Sequence, residues 1–191
     1  MRIAKINRTT KETAILVEVN LDGTGSSEVD SSIGFLKHMV ELLSTHSLID
    51  VRLSARGDLV HHIVEDTALS LGDAINQALG ERRGIVRFGW ALAPLDEAIS
   101  LAAVDLAKRP FAVIDLKIEK EGVEDLPRED IYHFLRSLAF GMQANLHVIA
   151  QYGDNDHHKV ETGIKALALA LRQAITNDPR RSGIPSSKGS M

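Results

Sequence analysis

No cysteine occurs among the 191 residues, which excludes disulfides, thiolate zinc sites and iron–sulfur clusters. A strong basic run is missing too. With a net charge of −4 and a pI of about 6.1, the chain lacks the basic face of a nucleic-acid binder. No apolar stretch reaches the roughly 20 residues that span a bilayer. The opening residues, MRIAKINRTTKETAILVEVN, alternate like a strand and contain no signal-peptide core. Together these absences lead us to expect a cytoplasmic protein with no nucleic-acid and no membrane partner. The composition is that of a globular protein, 44% hydrophobic and 25% charged. The length allows one domain with a sizeable core, or two small halves sharing one. Histidine is the conspicuous residue: there are eight, five of them at His61–His62 or between His147 and His158.

Hydrophobic periodicity outlines the elements. Thr13, Ile15, Val17, Val19 and Leu21 share one face of a half-buried strand, and Asp22-Gly23 then signals a turn into a second strand. Helical spacing runs from 33 to 46, strand pattern from Leu48 to Leu53, and helical spacing again from 61 to 79, with Gly80 as a C-terminal cap. Ile85–Ala93, Ala98–Leu106 and Phe111–Ile118 read as strands, the middle one also compatible with a helix. A charged connection covers 119–130. After it come a helix at 131–144, a strand at 146–151 and an amphipathic helix at 158–175. The tail from Asn177 onward, rich in Pro, Gly, Ser and Arg, reads as a loop.

An internal repeat carries the most information. Residues 57–65 read GDLVHHIVE and residues 153–161 read GDNDHHKVE, six identities in nine positions at an offset of 96. Leu71, Ala74, Gln77 and Ala78 match Leu167, Ala170, Gln173 and Ala174 at the same offset, and Phe35-Leu36 and Phe134-Leu135 open a helix upstream of each copy. Duplication of one α+β unit, its copies packed about a pseudo-twofold axis, is the simplest account. The halves are expected at about 1–92 and 93–180 of a single 1–191 domain, followed by a tail at 181–191.

The repeated His-His-x-x-Glu has a chemical logic. At the start of a helix, Glu65 shares a face with His61, while His62 points about 100° away around the helix. One motif therefore offers ligands to two different metals, and His157, His158 and Glu161 repeat the offer. Imidazole and carboxylate donors suit first-row divalent metals, and a mixed set with open positions suits catalysis better than a closed structural site. The plainer alternative, histidines on a solvated helix end, fits one such pair better than two in register. The pattern differs from the H-E-x-x-H of metalloproteases, so hydrolysis is not favoured.

Eight segments, taken in order, resemble the imidazoleglycerol-phosphate dehydratase family of histidine biosynthesis. They are RTTKET (8–13), GFLKHM (34–39), HHIVED (61–66), RFGWALAPLDEA (87–98), VDLAKRP (104–110), NLHV (145–148), DHHKVE (156–161) and PSSKG (185–189). The resemblance implies a duplicated α+β fold of the ribosomal protein S5 domain 2-like type. It also implies a homo-oligomer, a 24-subunit cage, with active sites between subunits and two Mn²⁺ ions in each. One metal would take His38, His62, His157 and Glu161, and the other His61, Glu65, His147 and His158. Glu12, His46, Arg87, Arg109, Ser186, Ser187 and Lys188 would contact a small phosphorylated substrate. Arg supplies a bidentate fork and Lys a point charge for such a phosphate. Departures from the family pattern fall at Lys37, where Asp is usual, at Lys108, and in a shortened segment before His61.

The reaction so implied is the dehydration of D-erythro-imidazole glycerol phosphate to imidazole acetol phosphate. The proton to be lost has no neighbouring carbonyl, so metal-stabilised imidazolate is expected to expel the hydroxyl group first. Glu12, not spent on a metal, is the expected acid/base, with Glu65 and Glu161 serving mainly as ligands. Two rivals predict the same ligand clusters: a related dinuclear enzyme with another phosphorylated substrate, and a cage stapled by structural metals.

Overall fold

A computed structural model describes residues 1–190, and the final residue of the expected tail, Met191, lies outside the described residues. The first half runs β1 (Ile3–Thr9), β2 (Thr13–Asn20), β3 (Ser27–Ser31), α1 (Gly34–Ser47), β4 (Asp50–Gly57) and α2 (Val60–Leu79). The second runs β5 (Phe88–Leu95), β6 (Ala98–Asp105), β7 (Phe111–Asp115), a small hairpin of β8 (Gly122–Val123) and β9 (Leu126–Pro127), α3 (Arg128–Met142), β10 (Asn145–Tyr152) and α4 (Asp156–Ile175). The two four-stranded sheets have orders β1-β2-β4-β3 and β5-β6-β10-β7. In each, the last-named pair is parallel and the others are antiparallel. The topologies are the same, as duplication requires.

Alternation along the strands decides which face each sheet buries. Ile15, Val17 and Val19 of β2 point inward with Val51, Leu53 and Ala55 of β4, and Ala102 and Val104 of β6 with Leu146 and Val148 of β10. The helices cover these faces from between the sheets. Helix α2 packs on β1, β2 and β4, and α4 on β5, β6 and β10, while α2 also packs on α3 and α1 on α4. Helix contacts therefore cross from half to half. The α2–α3 crossing is tight. A Cβ on Gly72 would stand 2.6 Å from the Leu138 carbonyl oxygen, and one on Gly141 would strike the Leu69 carbonyl. At the far end of this pair the buried Arg82 donates to the carbonyls of Met142 (2.7 Å) and Gln143 (3.0 Å) and to Asn76 Oδ1 (2.7 Å). It thus places a cation on the negative end of α3.

Two sequence expectations change, the pairing of β3 and the connection at 119–130. A strand does follow Asp22-Gly23, but β3 pairs in parallel with β4 instead of closing a hairpin on β2. The cause is Asp50, whose Oδ1 accepts the backbone N–H groups of Thr24, Gly25 and Ser26 and draws the loop past β2. Ala98–Leu106 forms a strand over most of its length, as its pattern suggested, and the helical alternative is excluded because β6 pairs on both sides, with β5 and β10. The charged connection at 119–130 contains the β8–β9 hairpin and the first turn of α3. Strand β5 begins at Phe88 and pairs wholly within the second sheet. Arg87, at φ 79°, ends the preceding loop.

Two stability predictions result. Gly141→Ala should force α2 and α3 apart and cost about 1–3 kcal/mol in denaturant unfolding, and an unchanged midpoint would contradict the close crossing. The second concerns acid. Burial raises the Asp50 carboxyl, but the N–H donors of Thr24, Ser26, Asn20 and Gly25 outweigh it and hold the group below its ordinary 3.8. Its contribution is therefore full above that value and lost as pH falls through the depressed native one. Asp50→Ala should cost about 2 kcal/mol at neutral pH, the gap from wild type narrowing on acidification. A gap independent of pH would refute this.

Candidate metal centre and phosphate cleft

Both His-His-x-x-Glu segments begin helices, His61 and His62 in the first turn of α2 and His157 and His158 in that of α4. The helix crossings bring each to a histidine of the other half. On one side, His38 of α1 stands 3.1 Å and His157 Nε2 3.3 Å from Glu161 Oε2. On the other, His133 of α3 lies 3.3 Å from Glu65, its ring stacked at 4.8 Å on that of His61. Within each trio, one ligand atom from every residue falls within 4.8 Å of the others. The trios His38–His157–Glu161 and His61–Glu65–His133 are pseudo-symmetric, each joining the first histidine and the glutamate of one motif to a histidine from the other half.

His133 was not among the ligands expected from sequence, and it takes the place given to His147. His147 sits half-buried on β10, in a cleft lined by Phe88, Trp90, Asp105 and Asn145. One signal for His133 existed: it immediately precedes Phe134-Leu135, in the helix that repeats α1, which bears His38. The second histidines of the motifs stand apart from both trios. His62 faces Asp58 (2.8 Å), with Glu12 at 3.9 Å, and His158 groups with Asp96 and Glu97.

Carboxylates hold the Nδ1 atom of all four motif imidazoles. The pairs are His61–Asp130 at 2.6 Å, His62–Asp58 at 2.8 Å, His157–Glu124 at 3.0 Å and His158–Glu97 at 2.8 Å. Such a bond leaves Nε2 as the coordinating atom and makes the imidazole a better donor. Asp58, Glu97, Glu124 and Asp130 were not foreseen: Asp58 lies in the repeat and Glu97 in one of the family segments, while Glu124 and Asp130 lie in neither. Burial raises the Glu161 carboxyl, but hydrogen bonds from Lys165 and His38 outweigh it and hold the group down to about 2. It is thus an anion at neutral pH, as a ligand must be. His46, two turns along α1 from His38, is pushed below its ordinary value by burial and by Lys165.

The expected substrate contacts divide into three places. Arg87, Arg109, Ser186, Ser187 and Lys188 do line one cleft, with Ala107 and Ser190. Arg87 is already engaged there: it grips Asp105 at 2.7 and 3.1 Å and donates to the Pro185 carbonyl at 2.7 Å, fastening the tail to the strand ends. Glu12 lies in the β1–β2 turn, which Thr10 braces through its hydroxyl and which Thr13 ties to Asp66 of α2. His46 is on α1, near the His38 trio. Of the family departures, Lys37 makes only an i,i+4 pair with Glu41, at 3.7 Å.

The profile of the imidazoleglycerol-phosphate dehydratase family matches residues 31–171. The chain is 47% identical to the dehydratase of Dehalococcoides mccartyi over 189 residues, 98% of this chain and 96% of that one. It is also 47% identical to that of Zymomonas mobilis over 194 aligned positions, 100% and 99% of the two chains. Two crystal structures share the fold. The dehydratase of Staphylococcus aureus superposes with a TM-score of 0.84 at 28% identity, covering 92% of this chain and 99% of that one. That of Pyrococcus furiosus has the same TM-score at 34% identity, with coverage of 97% and 100%. Repeat, fold and relatives agree: the chain belongs to the imidazoleglycerol-phosphate dehydratase family of carbon–oxygen hydro-lyases.

Proposed function

We propose that this hydro-lyase converts D-erythro-imidazole glycerol phosphate to imidazole acetol phosphate in histidine biosynthesis, in active sites that hold two Mn²⁺ ions and are shared between subunits. The observation that carries this reading is the pair of incomplete trios. Each gathers three ligands in one chain, while His62 and His158, equally prepared by carboxylates at Nδ1, stand elsewhere. Assembly resolves the arithmetic. His62 of a neighbouring copy completes His38, His157 and Glu161, and a neighbour's His158 completes His61, Glu65 and His133. Either set is three imidazoles and one carboxylate, which leaves open positions in an octahedral shell.

The residues fit such a group: the Nε2 atoms of His38, His157 and His133 stand 3.1–3.3 Å from the glutamate of their trio, and Glu161 is ionised. Two bound Mn²⁺ ions would supply Lewis-acid stabilisation of the substrate's ring as an anion. The chain's own groups do the rest. Arg109 and Lys188 neutralise the phosphate, while Arg87 holds the tail that presents Ser186, Ser187 and Lys188. Glu12 takes the C–H proton beside the carbon that loses hydroxide, and returns a proton as the enol becomes the ketone. Its position 3.9 Å from His62 means that base and shared ligand travel together into the neighbour's site. The subunit surface suits assembly as a homo-oligomer, in keeping with a 24-subunit cage. The outer face of the second sheet exposes Phe88, Trp90, Leu92 and Phe111, an apolar patch of the kind that marks interfaces. No helix among the described residues is long and apolar enough to cross a membrane.

Chelator-stripped protein should regain turnover of imidazole glycerol phosphate on addition of Mn²⁺, followed as the ketone product. Folded, Mn²⁺-loaded protein without turnover would point to another phosphorylated substrate or to structural metals. Glu12→Gln should bind both ions yet lose at least about 100-fold in kcat, and near-normal turnover would remove Glu12 from the acid/base role.

A further inference from the structure

Glu97 breaks the repeat in an informative way. His62 is held by Asp58, four residues earlier in its own motif, and the corresponding residue of the second motif is Asp154. His158 is held instead by Glu97, 61 residues away in the turn between β5 and β6. Asp154 offers only its backbone: its N–H and that of Asn155 donate to Glu97 Oε1 at 3.2 and 2.8 Å, while His158 Nδ1 stands 2.8 Å from Oε2. Asn155 in turn is the N-cap of α4, its side chain accepting the N–H of His157 at 2.9 Å. One carboxylate therefore fixes both the entrance of the helix and the ring of its second histidine.

The cluster of Asp96, Glu97 and His158 has the composition of a third metal site, but the hydrogen bonds that Glu97 accepts argue otherwise. Three N–H groups occupy three of the about four acceptor positions that a carboxylate has. With three donors on its two oxygens, Glu97 is committed to the helix entrance and to the His158 ring rather than standing free as an open ligand.

We propose that Glu97 is a positioning residue, which keeps the proton of His158 on Nδ1 so that Nε2 faces the metal of the neighbouring subunit. This rests on the reading of His158 as a shared ligand. Glu97→Gln separates the two tasks of the carboxylate. The amide oxygen can still accept the two backbone N–H groups. Its NH₂ then faces Nδ1 and drives the proton to Nε2, the atom needed for coordination.

The test is calorimetric titration of chelator-stripped protein with Mn²⁺, with thermal unfolding of the metal-free form alongside. Wild type should take up two ions per subunit. Glu97→Gln should bind one of them roughly 10–100-fold more weakly, the other normally, with little change in unfolding midpoint. Asp154→Ala should keep both, and His158→Ala should lose the ion that Glu97→Gln weakens. Two normal affinities in Glu97→Gln, beside loss of one ion in His158→Ala, would overturn the role of Glu97 and leave the ligand assignment standing. Equal weakening of both ions with a lowered midpoint would make Glu97 a structural residue only. Retention of both ions by His158→Ala would overturn the assignment and the proposal together.

Discussion

Everything at the candidate metal centre depends on the way the helices of the two halves cross. Each long helix packs on the shorter helix of the other copy, α2 on α3 and α4 on α1, as well as on its own sheet. Ligands from separate repeats meet only at these crossings. The glycines at 72 and 141 set how closely α2 and α3 approach, and that distance lets His133 stack on His61 and Asp130 reach its Nδ1 at 2.6 Å. Neither half alone contains a trio. Helical geometry then imposes the next step. If the first histidine of a motif faces the crossing, the second points about 100° away and must serve elsewhere.

The duplicated halves are alike in topology but unequal in their surroundings. Across the outer face of the first sheet run ion pairs, Lys5 with Glu18 at 3.5 Å and Arg52 with Glu28 at 3.1 Å. The second sheet exposes aromatic and aliphatic side chains over the same area. The supports of the imidazoles differ too. Asp58 comes from within its own motif, Asp130 from α3, Glu124 from the β8–β9 hairpin and Glu97 from a strand turn. That hairpin also caps α1 through Asp125, which accepts the N–H groups of Gly34 (2.5 Å) and Phe35 (2.8 Å). A segment without hydrophobic pattern thus fixes the two helices that carry His38 and His157.

What could be read in the sequence follows the range of the signal. Periodicity placed the long helices and the alternating strands, and the exact repetition of His-His-x-x-Glu exposed the duplication. Spacing also paired Glu65 with His61 and Glu161 with His157, because i and i+4 are neighbours on any helix. The failures are tertiary. His133 has no motif around it, and its value comes from a helix crossing, whereas His147 occupies a suggestive segment but a different cleft. The fate of Asp22-Gly23 depended on Asp50, 28 positions away from the first of that pair, and Glu97 and Glu124 act on histidines 61 and 33 residues distant. The cluster of Arg87, Arg109 and the Ser-Ser-Lys tail came from resemblance, and the structure does gather it.

Sharing of ligands between subunits can be tested most directly by mixing two inactive variants, His38→Ala and His62→Ala, under conditions that exchange subunits. Each alone lacks one ligand of the same metal in every site. Shared sites predict that turnover returns on mixing, since the His62→Ala chain keeps a complete trio and the His38→Ala chain donates an intact His62. If mixing restores nothing although mixed assemblies form, each metal is held within a single chain or by other residues, and the shared centre is wrong.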